Sequence, residues 1–162
     1  MIWIKRAIAL LCIIAISRLC HHKTDGFRIS KITDNTIENG SLQLPIFSSD
    51  QEKRAQEVLT QPFTYLARGK QSFVFLSEDQ KTVLKLLNNH YQWQIRAYAL
   101  LPNIPWKEKN LSYFEKKLKM TGESYLLTFS QLREETGAFF LHLQKTDHLK
   151  QKVKIVDKLG IS

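Results

Sequence analysis

Apolar and polar positions alternate most regularly between Phe73 and Leu87. Phe73, Phe75 and Ser77 interleave with Val74 and Leu76, which predicts a strand with one buried face and a partner on each side. Glu78 to Lys81 supply a polar turn, and Thr82 to Leu87 resume with β-branched and aliphatic residues, so the two runs are expected to pair as a hairpin. Lys85 shares the face of Val83 and Leu87, where an ammonium needs an anion or an edge to water. A further strand, from Phe63, precedes them and leads into a loop that carries Gly69.

Outside this region the pattern predicts helices and some shorter strands. Phe27 to Phe47 alternates like a strand pair about an Asn39-Gly40 turn. Asp50 to Leu59 reads as a short helix that Asp50 could cap and Pro62 bars from continuing. A helix is expected from His90 to Leu101, with Asn88 or Asn89 as its cap and Pro102 beyond its end. Lys107 to Met120 and Thr121 to Thr136 are helical, as two helices or as one broken near Gly122, and Gly137 is the stop. Ala138 to Gln144 and Val153 to Asp157 look like closing strands, and Trp93 and Trp106 are expected in the core. The expected fold class is α+β, an antiparallel sheet of about five strands packed with helices. It divides into a leader over 1–20, a hairpin and short helix over 21–62, and the main region over 63–162.

The leader has a different pattern altogether. Ala7 to Ile16 is an uninterrupted small and aliphatic run behind Lys5 and Arg6, the layout of a signal peptide. Ala15 and Ser17 satisfy a small-x-small cleavage pattern with Arg18 as the mature start. Counting from Ile2 to Cys20 gives a stretch near the length of a membrane span, bordered or interrupted by Lys5, Arg6 and Arg18. Export and an uncleaved anchor both stay open, and lipidation at Cys20 is the weaker third reading because Arg18 and Leu19 stand where small residues are expected. Basic residues flank both ends of the run, so the positive-inside bias does not orient it.

Composition narrows the function classes. With 43% hydrophobic residues the chain can bury one modest core. The net charge of +9 is spread along the chain, and its densest cluster, Lys116, Lys117 and Lys119, lies on a helix whose apolar face is Leu111, Phe114 and Leu118. That is a solvated helix face. Nucleic acid, which needs a basic stripe, is disfavoured as a partner, and an anionic membrane surface is the better match. The 2 cysteines, Cys12 and Cys20, lie in or beside the leader, which leaves no disulfide or thiolate metal site in the domain. The histidines lack metal spacing, so no metal is assigned.

The run from Leu66 to Leu87 resembles the N-terminal lobe of the protein-kinase-like superfamily. There a glycine-rich loop, G-x-G-x-x-G-x-V, covers nucleotide phosphates and a strand lysine pairs with them. Ala67, Gly69, Ser72 and Val74 stand in the loop positions, with one glycine of three kept, and Val83, Leu84 and Lys85 in the lysine run. The resemblance implies that Lys85 and the backbone from Gly69 to Ser72 meet the phosphates of ATP, that Val74 lines the base, and that a downstream carboxylate holds Lys85. Glu123 is chosen from Glu115, Glu123, Glu134 and Glu135, although after Thr121 and Gly122 it also reads as a first-turn carboxylate complementing a helix dipole.

The rest of the family's chemistry is missing from this sequence. After Lys85 the only aspartates are Asp147 and Asp157, and no Asn follows Asn110, so no catalytic Asp/Asn loop can be drawn. Asp157 to Gly160, with its D-x-x-G spacing, reads as a strand ending in a turn. The expectation is an exported or membrane-anchored protein that is not an enzyme by itself, a truncated or split relative of a larger protein that a second lobe or another protein would partner. The competing class is a membrane-associated interaction module with no small-molecule ligand.

Overall fold

A computed structural model describes residues 2–33, 45–143, 149 and 151–162. The sequence of elements is α1 (Ile2–Lys23), α2 (Ser30–Thr33), α3 (Ser49–Leu59), β1 (Phe63–Arg68), β2 (Ser72–Ser77), β3 (Val83–Leu87), α4 (His90–Ala99), α5 (Lys107–Gln131), α6 (Arg133–Thr136) and β4 (Ile155–Val156). The α+β class holds, with one four-stranded sheet in the order β3-β2-β1-β4.

The meander β1-β2-β3 forms because the period-2 pattern on all three strands faces the same way. Tyr65 pairs with Phe75, which pairs with Leu84, while Phe73 pairs with Leu86. These residues and Phe63 make the covered face, under which Phe63, Phe73 and Phe75 are completely buried. Phe27 closes that face from the segment after α1, its ring edge-on to Phe73 at 5.2 Å and to Phe75 at 5.4 Å. Val58 and Leu59 of α3 and Ile32 of α2 complete the cover. A bulge falls between Tyr65 and Ala67, leaving Leu66 as the extra residue on β1.

Three strand expectations are corrected. The sheet is mixed rather than antiparallel, because β4 joins the free edge of β1 in parallel, pairing Phe63 with Ile155. It has four strands among the described residues, because 138–143 forms no strand. The apolar side chains of that segment pack elsewhere: Leu143 against Leu118, Tyr125 and Leu126 of α5, Leu87 of β3 and its own neighbour Leu141, and Phe140 against Phe47 at 4.4 Å. The alternation from Phe27 gives a helical turn at Ser30–Thr33 in place of a strand, since Phe27 is drawn into the core and the chain bends behind it. The Asn39-Gly40 turn lies outside the described residues.

The helices follow local chemistry closely. Ser48, one residue before the helix, caps α3 in place of Asp50: its Oγ accepts from Gln51 N–H while the Gln51 side chain accepts from Ser48 N–H, a reciprocal capping box. Asp50 stays in the first turn, where its charge suits the helix dipole. Helix α5 runs unbroken through Gly122, and Gly137 ends the helical region with φ at 64°. Continuity there is set by packing, since α4 lies back along the first half of α5, with Tyr98 and Phe114 rings 5.4 Å apart and Lys107 Nζ donating to the Ala99 and Leu101 carbonyls at the end of α4. Trp93 and Trp106 are not core residues. They are 72% and 52% exposed, because the inward stripe of α4 is carried by Tyr91 and Tyr98.

Helix α1 stands apart from this core, every side chain from Trp3 to Lys23 being exposed. It joins the rest through a short turn, in which Gly26 takes φ of 67° and a side chain would collide with the His21 ring. Among the described residues no helix is long and apolar enough to cross a membrane.

Phe75→Ala opens a hole under the sheet where three rings converge. We expect it to lower unfolding free energy by about 3–5 kcal/mol in chemical denaturation, and an exposed-face change such as Trp93→Ala to cost far less.

Candidate functional site

The open face of the meander holds the residues singled out from the sequence. Val74 pairs with Lys85, Ser72 with Leu87, and Ala67 with Val74, which puts these side chains together on the face opposite the phenylalanine core. Lys85 is exposed on β3, an edge strand of the sheet. Val74 is half-buried and Ser72 buried. The loop Gly69 to Gln71 closes the β1–β2 hairpin, with Gly69 N–H donating to the Ser72 carbonyl at 2.8 Å. Gly69 is not demanded by the turn, since a Cβ there would meet Ser72 O at an ordinary 3.4 Å. Its smallness leaves the loop open to close approach.

Glu123 does not join this group. It sits in the middle of α5, not in a first turn, and its partner is Lys119 on the same helix at 3.9 Å, an exposed pair. No ion pair links Lys85 to a carboxylate among the described residues. Glu115, Glu134 and Glu135 are likewise exposed. The structure therefore brings together Gly69, Ser72, Val74 and Lys85, and leaves Glu123 out. Asp157 makes the expected turn, its carboxylate accepting from Leu159 and Ile161 N–H.

Two polar features escaped the sequence reading. The first is the environment of Asp25, whose carboxylate accepts from Tyr65 Oη at 2.9 Å and from Lys158 Nζ at 2.8 Å, while its own carbonyl accepts from Arg68. The hydrogen bond from Lys158, then that from Tyr65, holds the Asp25 carboxyl below its ordinary value. Burial, reinforced by the Asp25 carboxylate, pushes the Tyr65 phenol up to about 12. These residues are separated by most of the chain, so no local spacing could have announced them.

The second is a small cleft where the Gly69–Gln71 loop meets the start of α4, lined by Gln71, Leu87, Asn88, Asn89, His90 and Thr121 among others, with an enclosed volume of about 10 Å³. Asn88 N–H donates to the Gln71 carbonyl and Asn89 N–H to the Lys31 carbonyl, which ties the cleft to both the hairpin loop and α2. Burial, and then the charges of Lys70, Arg68 and Lys31, keep the His90 imidazole below its ordinary value, in part offset by its contact with the Asn88 carbonyl. Among the described residues no group of three metal-ligating side chains is found.

No family model, curated protein or solved structure matches the chain.

The Asp25 cluster has a defined pH signature. A carboxyl held low contributes stability that is complete above its unfolded value near 3.8 and is lost as pH falls through the lower folded value. Asp25→Asn should therefore be less stable than the parent at about pH 6, and the gap should narrow as pH falls below about 3.8, as read by denaturant midpoints.

Proposed function

We propose that this chain is a membrane-associated protein whose α+β domain is related in design to the nucleotide-holding lobe of the kinase-like superfamily and does not perform phosphotransfer by itself. The observation that carries the membrane reading is α1. It is apolar around its whole circumference from Ala7 to Ile16, and every side chain from Trp3 to Lys23 is exposed, an arrangement that water penalises. Its uncharged stretch of about ten residues has the length of a signal h-region, and its ends carry Trp3, Lys5 and Arg6 on one side and Arg18 to Lys23 on the other, residues suited to a lipid–water boundary. Lipid, during export or as a lasting anchor, is the medium that removes the penalty.

The nucleotide reading is supported by the shared face of Val74 and Lys85 beside a loop whose glycine is not needed for its turn. Lys85 there would meet phosphate oxygens as a point charge. Residues 1–162 hold no catalytic Asp/Asn loop, so the activity proposed for this face is binding. A different observation favours the interaction module: Leu66 and Val83 are exposed on the same open sheet face. That reading predicts association through this face with no response to nucleotide.

Two experiments decide among these. Carbonate-washed membranes from producing cells, with N-terminal sequencing of the product, should yield either an intact chain in the pellet or a mature chain starting near Arg18. An intact chain in the wash would overturn the membrane reading. Thermal unfolding of the full chain in detergent with Mg·ATP at about 100 times its dissociation constant should show about 2.7 kcal/mol of added stability, lost in Lys85→Ala. A cooperatively folding protein indifferent to ATP, with a Leu66→Lys variant that reduces self-association in sedimentation, would favour the interaction module instead.

A further inference from the structure

The start of α4 presents an electrostatic demand that nothing in the described chain meets. The helix has ten residues, no acidic side chain in its first turn, and at its N-cap Asn89, whose side chain makes no capping hydrogen bond. The first-turn N–H groups of a helix carry a partial positive charge that a cap or an anion ordinarily satisfies. Here both asparagines at the junction are buried, each 8% exposed, and both line the cleft. Asn89 Nδ2 and Asn88 Oδ1 find no hydrogen-bond partner among the described residues. A buried amide donor left unpaired is costly, and turning the Asn88 amide over would offer a second donor.

Among the described residues the charges acting on this point are of one sign. Lys31, Arg68 and Lys70 are the charged groups acting on His90, the first residue of α4, and Arg28 and Arg68 act on Lys31. Asp25, whose carbonyl accepts from Arg68, has its carboxylate already engaged by Tyr65 and Lys158. Lys31 Nζ spends one donor on the Gly26 carbonyl and Arg68 one on the Asp25 carbonyl, which leaves each with further donors. Among the described residues these cations have no free counter-ion, the helix start has no side-chain cap and the Asn89 amide has no partner, and all three ask for the same thing.

We infer that the cleft between the β1–β2 loop and the start of α4 is a phosphate-binding site, in which the Asn89 amide and the backbone N–H groups of His90 and Tyr91 hold phosphate oxygens and Lys70, with Arg68 and Lys31, neutralises the charge. The cleft, at about 10 Å³, admits one oxygen-sized atom, so the rest of the anion lies outside it; its lining includes Gln71, the chain neighbour of Lys70. This site is separate from Lys85 and does not rest on the nucleotide reading. Two sources offer the same group: free inorganic phosphate and the headgroup of an anionic phospholipid, close at hand if α1 lies in a membrane.

The test uses the full chain in phosphatidylcholine nanodiscs at fixed ionic strength. Inorganic phosphate is titrated, and in a parallel arm phosphatidic acid is included in the discs. The readouts are the unfolding midpoint and the His90 imidazole resonances, assigned with His90→Gln. The expected result is a saturable rise in midpoint and a His90 shift in one arm at least, the arm identifying the source. Asn89→Asp, which supplies its own anion to the helix start, should unfold at a higher temperature without phosphate and lose at least tenfold in phosphate affinity. Lys70→Gln, at an exposed position, should weaken binding severalfold while folding normally. Absence of a response in both arms overturns the site. So does a response that survives Asn89→Asp and Lys70→Gln unchanged, or one that disappears in Lys85→Ala alone, which would move binding to the open sheet face.

Discussion

The folded unit depends on covering one face of a three-stranded meander with aromatic rings. Phe63, Phe73 and Phe75 come from the strands themselves, and they are dry because Phe27, Val58 and Leu59, from segments before the sheet, and Val153 and Ile155, from the end of the chain, close over them. Each phenyl group so buried is worth about 1.5–3 kcal/mol, and edge-to-face geometry adds to that. On its other side the cover is partial: Leu87 packs with Leu143 and α5 and Ser72 is buried, while Val74 and Leu76 are half-buried and Lys85 is exposed. The domain therefore has one sealed face and one face left open around Lys85, and the candidate nucleotide surface falls on the open part.

What was legible in the sequence is what repeats locally. The period-2 runs at Phe73 to Ser77 and Thr82 to Leu87 gave the central and edge strands, and the face of Lys85 followed from counting along the run. Helices were legible from stripes such as Leu111, Phe114 and Leu118, and stops from Pro62 and Gly137. The failures share a physical cause, competition from tertiary packing. Ala138 to Leu143 looks like a strand because its residues are apolar, yet α5 offers those side chains a groove and the backbone finds no ladder. Gly122 looks like a break, but a buried glycine is tolerated within a helix held by its neighbours. Trp93 looks like core by size alone, whereas the angular position of Tyr91 and Tyr98 decides which side of α4 turns inward.

The candidate site was legible in part for the same reason. Gly69, Ser72, Val74 and Lys85 belong to one hairpin system, so their proximity is a matter of register. Glu123 had to be placed by a helix packed from a distance, and its position along α5 gave it Lys119 as a partner. The Asp25 cluster and the α4 cleft were invisible to spacing, since the first joins the leader junction to β1 and Lys158 and the second joins the hairpin loop to the start of α4 and the middle of α5. A signal was nonetheless present at the cleft: two adjacent asparagines before a helix with no acid in its first turn leave the helix start without negative charge.

The turn at Thr24 to Gly26 gives the N-terminal helix an unusual relation to the domain. Asp25 is gripped by Tyr65 and Lys158, Gly26 abuts His21, and Phe27 is already core. The joint has almost no slack. If α1 is held in lipid, the domain does not hang from a flexible cord but is carried like a flag on a pole, with one edge always toward the bilayer. The search for anything else at that surface then becomes two-dimensional, and a partner needs to match this protein in height and heading as well as in chemistry.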